Sequence, residues 1–275
     1  MKLRALLIAM LFVLSATAPA APAAGSDPIL DAFHRMYNLD FAGANRTIDA
    51  WQTLHPDDAM GPVSHAAAVL FAEFDRLGVL QSELFTDDDR FEERKKLSAD
   101  AGAAARFNQL LAQADALADK ALAKDPKDTN AQFARVLSLG LRSDYAALIE
   151  KHDLAAIRFT KQGRTLAEQL LRQKPDDYDA WLAVGVENYL TGIKPAPMRW
   201  LLQMGGVETD KAQGLRDLQL TADRGYLLAP FARLLLAVAA LRDKDTGKAC
   251  GLLRGLASEF PQNSLYRRET ARAHC

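Results

Sequence analysis

The stretch from Lys174 to Leu190, KPDDYDAWLAVGVENYL, decides the fold of this chain of 275 residues. Pro175 ends one helix, because a proline cannot continue the helical hydrogen-bond ladder. Asp176 and Asp177 follow it, and their carboxylates are suited to capping the positive N-terminal end of the next helix. The stretch therefore predicts a turn followed by a helix that runs from Asp176 to Leu190.

The helical part of this stretch combines large and small side chains at helical spacing. They are Trp181, Val184, Gly185 and Tyr189. Because glycine has no Cβ, we expect a partner helix to approach most closely at Gly185, with an aromatic ring on either side. This spacing after a proline resembles the first helix of a tetratricopeptide (TPR) unit. Two details depart from that pattern, since Val184 stands where Leu is usual and Tyr189 comes one residue late.

The overall composition favours a globular protein built from helices. Hydrophobic residues make up 49% of the chain and charged residues 25%, while β-branched residues are sparse and apolar and polar residues do not alternate for long. This pattern predicts an all-α fold. The formal net charge of -1 provides no clustered basic face, so no nucleic-acid partner is expected.

Residues 1–24 have the pattern of a secretory signal peptide. Lys2 and Arg4 precede an apolar stretch from Ala5 to Ala16, and small residues follow from Ala18 to Ala23. We expect cleavage near this point and export across the inner membrane, into the periplasm if the source is a Gram-negative bacterium. An uncleaved N-terminal anchor is the alternative. No later stretch is long and apolar enough to predict a membrane span.

Residues 25–275 predict about four to five helix pairs, which a final helix from Asn263 to His274 caps. Prolines follow four of the predicted helix ends, at Pro56, Pro126, Pro175 and Pro261. The TPR resemblance implies a right-handed array of antiparallel helix pairs, a TPR-like α-solenoid, in which stacking makes a continuous core. Insertions near 81–100 and 191–206 lengthen the spacing between the prolines.

The first insertion carries a run of charges from Glu92 to Lys96, ordered with acids before bases. This order suits the start of a helix, and we interpret the run as a face exposed to solvent. The same helix is expected to continue through Phe107 and on to Ala121, with Gly102 as its one weak point.

The sequence carries no motif of catalysis or metal binding. The five histidines lack the His-x-x-x-His spacing of a metal site, and the chain has no nucleophile elbow, phosphate loop or GxGxxG. We therefore predict no enzyme activity, no metal and no cofactor. His65 is expected in the core or at its rim. Glu187 and Asn188 are either a buried hydrogen-bonded link between helices, which we favour, or a pair that contacts a ligand.

Cys250 and the C-terminal Cys275 are the only two cysteines. They have no second pair or nearby histidine, so they predict no zinc site. Because Cys275 lies on a terminal segment, the favoured interpretation is a buried thiol at Cys250 and a free thiol at Cys275. A disulfide between them is the alternative, and export would permit it.

The stretch from Trp181 through Pro261 is also similar to exported bacterial TPR proteins of uncharacterised function, which implies a fold and a compartment but no reaction. Cytoplasmic TPR cochaperones hold a terminal carboxylate with Lys, Asn and Arg on their inner helices, whereas the corresponding positions here are apolar. The predicted binding residues on this inner surface and in the second insertion are Leu182, Val186, Tyr189, Leu190 and Trp200.

Two functions follow from these features. The first is an exported protein-interaction scaffold that binds a protein or peptide partner on its helical-repeat surface, without catalysis. The alternative is a binder of a small apolar ligand or lipid, in a pocket between the repeats and the insertion at 191–206. Trp200 in that insertion, flanked by Met198 and Met204, is interpreted as a plug that packs on the array rather than as a cofactor box.

Overall fold

A computed structural model describes residues 27–79, 88–192 and 210–275 together with Thr86, and every regular element in these residues is helical. The all-α prediction is therefore confirmed. The described helices are α1 (Pro28–Tyr37), α2 (Phe41–Leu54), α3 (Met60–Leu77), α4 (Asp88–Glu93), α5 (Ala101–Lys124), α6 (Thr129–Tyr145), α7 (Asp153–Gln173), α8 (Trp181–Gly192), α9 (Lys211–Arg224), α10 (Ala229–Arg242), α11 (Thr246–Glu259) and α12 (Ser264–Arg272). A π-helical turn, Ala146–Glu150, joins α6 to α7.

Short polar side chains fix where most of these helices begin. An aspartate or asparagine oxygen accepts a hydrogen bond from a backbone N–H of the first turn, which would otherwise have no partner. These capping residues are Asp27, Asp40, Asp100, Asp128, Asp210, Asp245 and Asn263. The four prolines noted above each follow a helix end within two residues.

Helices that follow one another along the chain pack against each other. The described pairs are α1 with α2, α3 with α5, α6 with α7, α8 with α9, and α10 with α11, and α12 packs on α11. Successive pairs also touch, so that one large apolar core runs from Ile29 in α1 to Tyr266 in α12. Burial of this continuous core is the main favourable term in folding.

The first helices contact the last ones. The Tyr37 hydroxyl at the end of α1 donates a hydrogen bond of 3.0 Å to the Leu227 carbonyl, and the Asn263 side-chain amide donates one of 2.7 Å to the Tyr37 carbonyl. The rings of Phe71 in α3 and Phe231 in α10 lie 6.3 Å apart. The two ends of the helical array therefore meet.

The charged run in the first insertion differs from its prediction. Helix α4 ends at Glu93 and α5 begins at Ala101, so the expected single helix is two helices with a non-helical segment between them. Arg94 is buried rather than exposed, because its guanidinium donates to the carbonyl oxygens of Phe91 and Ala147 and pairs with Asp153. The prediction of a fully solvated run was wrong for Arg94, whose contacts hold this segment against the π-helical turn.

Cys250 and Cys275 form a disulfide, with their Cα atoms 5.4 Å apart. The favoured interpretation of two free thiols was wrong. The reason is that the terminal segment is held in place: the Cys275 N–H donates to the Thr270 carbonyl at 3.0 Å, and Arg254 donates to the Cys275 carbonyl.

Candidate functional site

A cleft of about 390 Å³ opens where several helix ends converge. Its walls come from the start of α1, the end of α2, the starts of α3 and α6, the turn before α8 and the segment after α9. The lining residues are Asp27, Ile29, Trp51, Met60, Thr129, Asn130, Phe133, Lys174, Asp176, Asp177, Tyr178, Asp179, Arg224, Tyr226 and Leu227. Its volume lies within the range of ordinary ligand pockets.

The first part of the stretch KPDDYDAW supplies one wall of this cleft. Helix α8 begins at Trp181 and not at Asp176, so the predicted helix start was wrong. Asp176 and Asp177 do not cap α8. The chain instead makes turns from Pro175 to Ala180, and these turns bring Tyr178 and Asp179 to the cleft wall.

Asp179 holds two walls of the cleft together. Its carboxylate accepts hydrogen bonds from the backbone N–H groups of Tyr226, Leu227 and Leu228, at 2.9, 2.8 and 3.0 Å. Burial raises the pKa of Asp179, while the three donors oppose that rise. Leu228 is the N-cap of α10, and its side chain cannot accept a hydrogen bond from the first turn. The Asp179 carboxylate, 49 residues earlier in the chain, instead accepts a hydrogen bond from the Leu228 N–H at the start of that helix.

Two cationic side chains line the cleft, and both have partners within it. The Lys174 ammonium lies 3.2 Å from a carboxylate oxygen of Asp177. The Arg224 guanidinium donates a 2.7 Å hydrogen bond to the Tyr178 hydroxyl and lies 4.9 Å from the centre of the same ring. This second contact is a cation–π interaction.

Three carboxylates of the lining, Asp27, Asp176 and Asp179, have no cationic partner among the described residues, and Asp179 is committed to the three backbone N–H groups described above. Asp27 accepts from the Ile29 N–H at 2.8 Å and from the Tyr226 hydroxyl at 3.2 Å, and both donors are neutral. The Asp176 side chain is exposed and makes no hydrogen bond or ion pair within the described part of the chain. Negative charge is therefore in excess in the lining of the cleft.

Four aromatic rings lie in the lining, beside the aliphatic side chains of Ile29, Met60 and Leu227. Tyr226 is 53% exposed, and the half-buried Trp51 stacks one face on His55 with ring centres 4.4 Å apart. Phe133 and Tyr178 complete the set. Rings and carboxylates on the same walls can contact both the apolar and the charged parts of one side chain.

The predicted binding residues lie elsewhere. Leu182 and Val186 are half-buried and pack with the buried Tyr189 against Leu218 and Leu236 in a second apolar cluster. Leu190, which follows Tyr189 in α8, is 46% exposed. None of these four lines the cleft. Trp200 and most of the 191–206 insertion lie outside the described residues.

The expected close helix contact at Gly185 is confirmed. A Cβ on Gly185 would lie 2.9 Å from the Leu218 nitrogen and 3.0 Å from the Gly214 oxygen. A Cβ on Gly214 would lie 2.4 Å from the Tyr189 nitrogen, and one on Gly192 would lie 2.4 Å from the Lys211 nitrogen. Three glycines, two of which the sequence did not single out, thus let the backbones of α8 and α9 touch.

Glu187 and Asn188 form the hydrogen-bonded link that was favoured. The Asn188 side chain accepts from Arg164 of α7 at 3.0 Å and donates to Asp217 of α9 at 3.3 Å. Glu187 lies 3.6 Å from the same guanidinium. Burial raises the pKa of Asp217, and its hydrogen bonds to Asn188 and Gln213 oppose that rise. This polar link connects three helices beside the glycine contact.

His65 is buried on α3, as predicted, and contacts α2 through both ring nitrogens. Its Nδ1 lies 2.7 Å from the Asn45 side-chain oxygen, and its Nε2 lies 3.1 Å from Asp49. Burial lowers the pKa of His65, and the charge of Asp49 opposes that change. These contacts give His65 a structural role between two helices.

The described residues offer no cluster of three or more His, Cys, Asp and Glu side chains arranged to hold a metal ion. Among the described helices, none has the length and apolar character needed to cross a membrane.

Comparison with known proteins adds no family to these observations. No protein-family model matches the chain, and no curated protein matches it significantly.

Proposed function

We propose that this chain is an exported, non-catalytic helical-repeat protein that binds a segment of a partner protein in the cleft between Asp27, Trp51, Tyr178 and Tyr226. The observation that carries the proposal is the cleft itself, whose volume of about 390 Å³ accommodates several side chains of a bound segment. Its lining combines aromatic rings, carboxylates and the amide of Asn130, and such mixed surfaces suit peptide recognition.

The repeat architecture supports this proposal. In the described part of the chain, five helix pairs pack in chain order and a final helix packs on the last pair, an order that a TPR-like solenoid would also have. Because the two helices of each pair are antiparallel, the connections between successive pairs lie at the same edge of such an array. The cleft lies among connections of this kind, before α3, α6, α8 and α10.

The disulfide supports export. Cys250 and Cys275 are paired, and disulfides persist in oxidising compartments such as the bacterial periplasm but are rare in the cytosol. This pairing agrees with the signal-peptide pattern of residues 1–24.

The test is site-specific photo-crosslinking in the living cell. A photoreactive phenylalanine analogue at Asn130, which is exposed on the cleft wall, should form one defined protein adduct. The same analogue at Thr165, which is exposed on α7 away from the cleft lining, is the matched control and should not form it. Thr129→Trp, which adds an indole to the cleft wall, should abolish the adduct.

A synthetic peptide that spans the crosslinked segment should then bind the purified protein with one-to-one stoichiometry. Adducts that are equal at Asn130 and Thr165, or that persist in the Thr129→Trp variant, would exclude the cleft as the binding site. A lipid or other apolar molecule retained in native mass spectrometry of detergent-free protein would instead favour the apolar-ligand alternative.

A further inference from the structure

The charges that line the cleft do not balance. Four carboxylates face two cationic side chains, and each cation is already engaged inside the cleft, Lys174 by Asp177 and Arg224 by Tyr178. Asp179 uses its carboxylate on three backbone N–H groups. The two carboxylates that remain to pair with a charged ligand are thus those of Asp27 and Asp176.

The two remaining carboxylates differ in what they offer a ligand. Asp27 caps α1 with one oxygen and accepts from the Tyr226 phenol with the other, so it is held in place without a neutralising cation. Asp176 is exposed and has no side-chain partner among the described residues. A cation paired with the half-buried Asp27 would be partly shielded from water, where charge attraction is stronger than at an open surface, whereas Asp176 would meet it from the exposed side.

The rings beside these carboxylates favour the same kind of ligand. Tyr226 is half-exposed next to Asp27, and Trp51 lines the same space. One guanidinium already packs on a ring in this cleft, since that of Arg224 lies 4.9 Å from the centre of the Tyr178 ring. Ring faces attract cations, and the aliphatic part of a Lys or Arg side chain packs on the same surface.

We infer that the cleft recognises a basic side chain, Arg or Lys, carried by an extended segment of the partner protein. Asp27 and Asp176 supply the countercharge, and Tyr226 and Trp51 supply the ring surface. This inference rests on the proposed function, since it assigns the chemistry of the segment that the cleft binds.

The experiment is a selection of displayed random peptides on immobilised protein comprising residues 25–275. Counter-selection uses the Thr129→Trp variant, so that only peptides that depend on the cleft are kept. We expect these peptides to be enriched in Arg and Lys, and their binding to weaken as salt is raised, because screening reduces charge attraction.

The strongest peptide from the selection is then measured against single variants. Asp176→Lys should weaken its binding by about tenfold or more, because it places a like charge at the binding site. Glu93→Lys makes the same charge change at an exposed carboxylate outside the cleft lining and should leave the affinity within about twofold. Tyr226→Leu should weaken binding while preserving its salt dependence. Equal melting temperatures for the Asp176→Lys and wild-type proteins would establish that the variant is folded.

The possible failures are distinguishable. Cleft-dependent peptides without an excess of basic residues, or binding that is indifferent to Asp176→Lys, would overturn this inference and leave the proposed function standing. A selection that yields no cleft-dependent peptide at all would overturn both.

Discussion

Asp144 lies half-buried near the end of α6, and burial raises the pKa of its carboxyl group from 3.8 to about 7. The folded state therefore disfavours the charged form of Asp144. Below about pH 4 the carboxyl is neutral in both the folded and the unfolded state, and the free energy of unfolding carries no penalty from it. As the pH rises from about 4 towards 7, the carboxyl ionises in the unfolded state while the folded state keeps it neutral, and the protein loses that stability. A shift of this size corresponds to at most about 4 kcal/mol.

Asp144→Asn should therefore increase the free energy of unfolding at pH 8, by about 1–2 kcal/mol once partial solvation of the carboxyl group is included. The gain should shrink towards pH 4.5, where wild-type Asp144 is largely protonated. Urea unfolding at pH 4.5, 6 and 8 measures the difference. Asp144→Glu keeps a titrating carboxyl and should retain the pH dependence. A stability difference that is the same at every pH would contradict the assignment.

Asp179 also illustrates what a sequence does not reveal about single residues. Its spacing fits the first turn of a helix, and no local pattern separates it from Asp176 or Asp177. Its actual role depends on three N–H groups at Tyr226 to Leu228, which are 47 to 49 residues away in the chain. A carboxylate committed to such distant donors is recognisable only once the helices are packed.

At the scale of elements, the sequence predicts most helices and one close contact between them. The prolines act locally, so each of the four lies two residues after the end of a helix, as predicted. The close approach at Gly185 was predicted because a glycine between two rings marks a contact site. The partner Gly214 was not predicted, since nothing local to α9 indicates which helix it meets.

Gly214→Ala should destabilise the protein by about 1–3 kcal/mol, because the new Cβ meets backbone atoms of α8 that cannot move without separating the helices. Gly185→Leu should also destabilise the protein. The matched control is Gly251→Ala in α11, where no other atom lies within 4 Å of the added Cβ. That change should stabilise the helix by about 0.5–1 kcal/mol. Melting temperatures that fall equally for Gly214→Ala and Gly251→Ala would contradict the proposed contact.

The break between α4 and α5 was not predicted either, because it depends on a contact between residues that are far apart in the chain. Arg94 belongs to a run of charges that suits a solvated helix, and its burial depends on the carbonyl oxygen of Ala147, 53 residues later. The π-helical turn that offers this oxygen carries no sequence signal of its own. A charge run therefore predicts exposure only where no distant acceptor exists.

At the scale of the whole molecule, the disulfide joins α11 to the chain segment after α12. It closes a loop with a sequence separation of 25, and in the chain-entropy model a loop of this size stabilises the folded state by about 3 kcal/mol. Cys275→Ser should lower the melting temperature and speed hydrogen exchange in α12, whose contacts the disulfide holds.

Reduced wild-type protein provides the matched control for this prediction. Its melting temperature should agree with that of Cys275→Ser under the same reducing conditions. Oxidised and reduced wild-type proteins that melt at the same temperature would show that the disulfide adds nothing to stability.

The cleft itself is a property of the whole molecule and was not predicted. The sequence singled out α8 and its inner face, whereas the cleft is built from the turn that precedes this helix and from the ends of others. One contact in its lining, between Asp27 and Tyr226, joins residues 199 positions apart. Periodicity and spacing describe neighbours in the chain, so a surface assembled from distant turns leaves no such pattern.

The contact between the first and last helices also affects how the protein unfolds. An open stack of repeats can unravel from either end, because a terminal repeat is held on one side only. Here α1 is held by α2 on one side and by Leu227 and Asn263 on another. Loss of the first helix would thus also expose the last repeats to water. We therefore expect the helix pairs to unfold together, as one cooperative unit rather than as a row of separable modules.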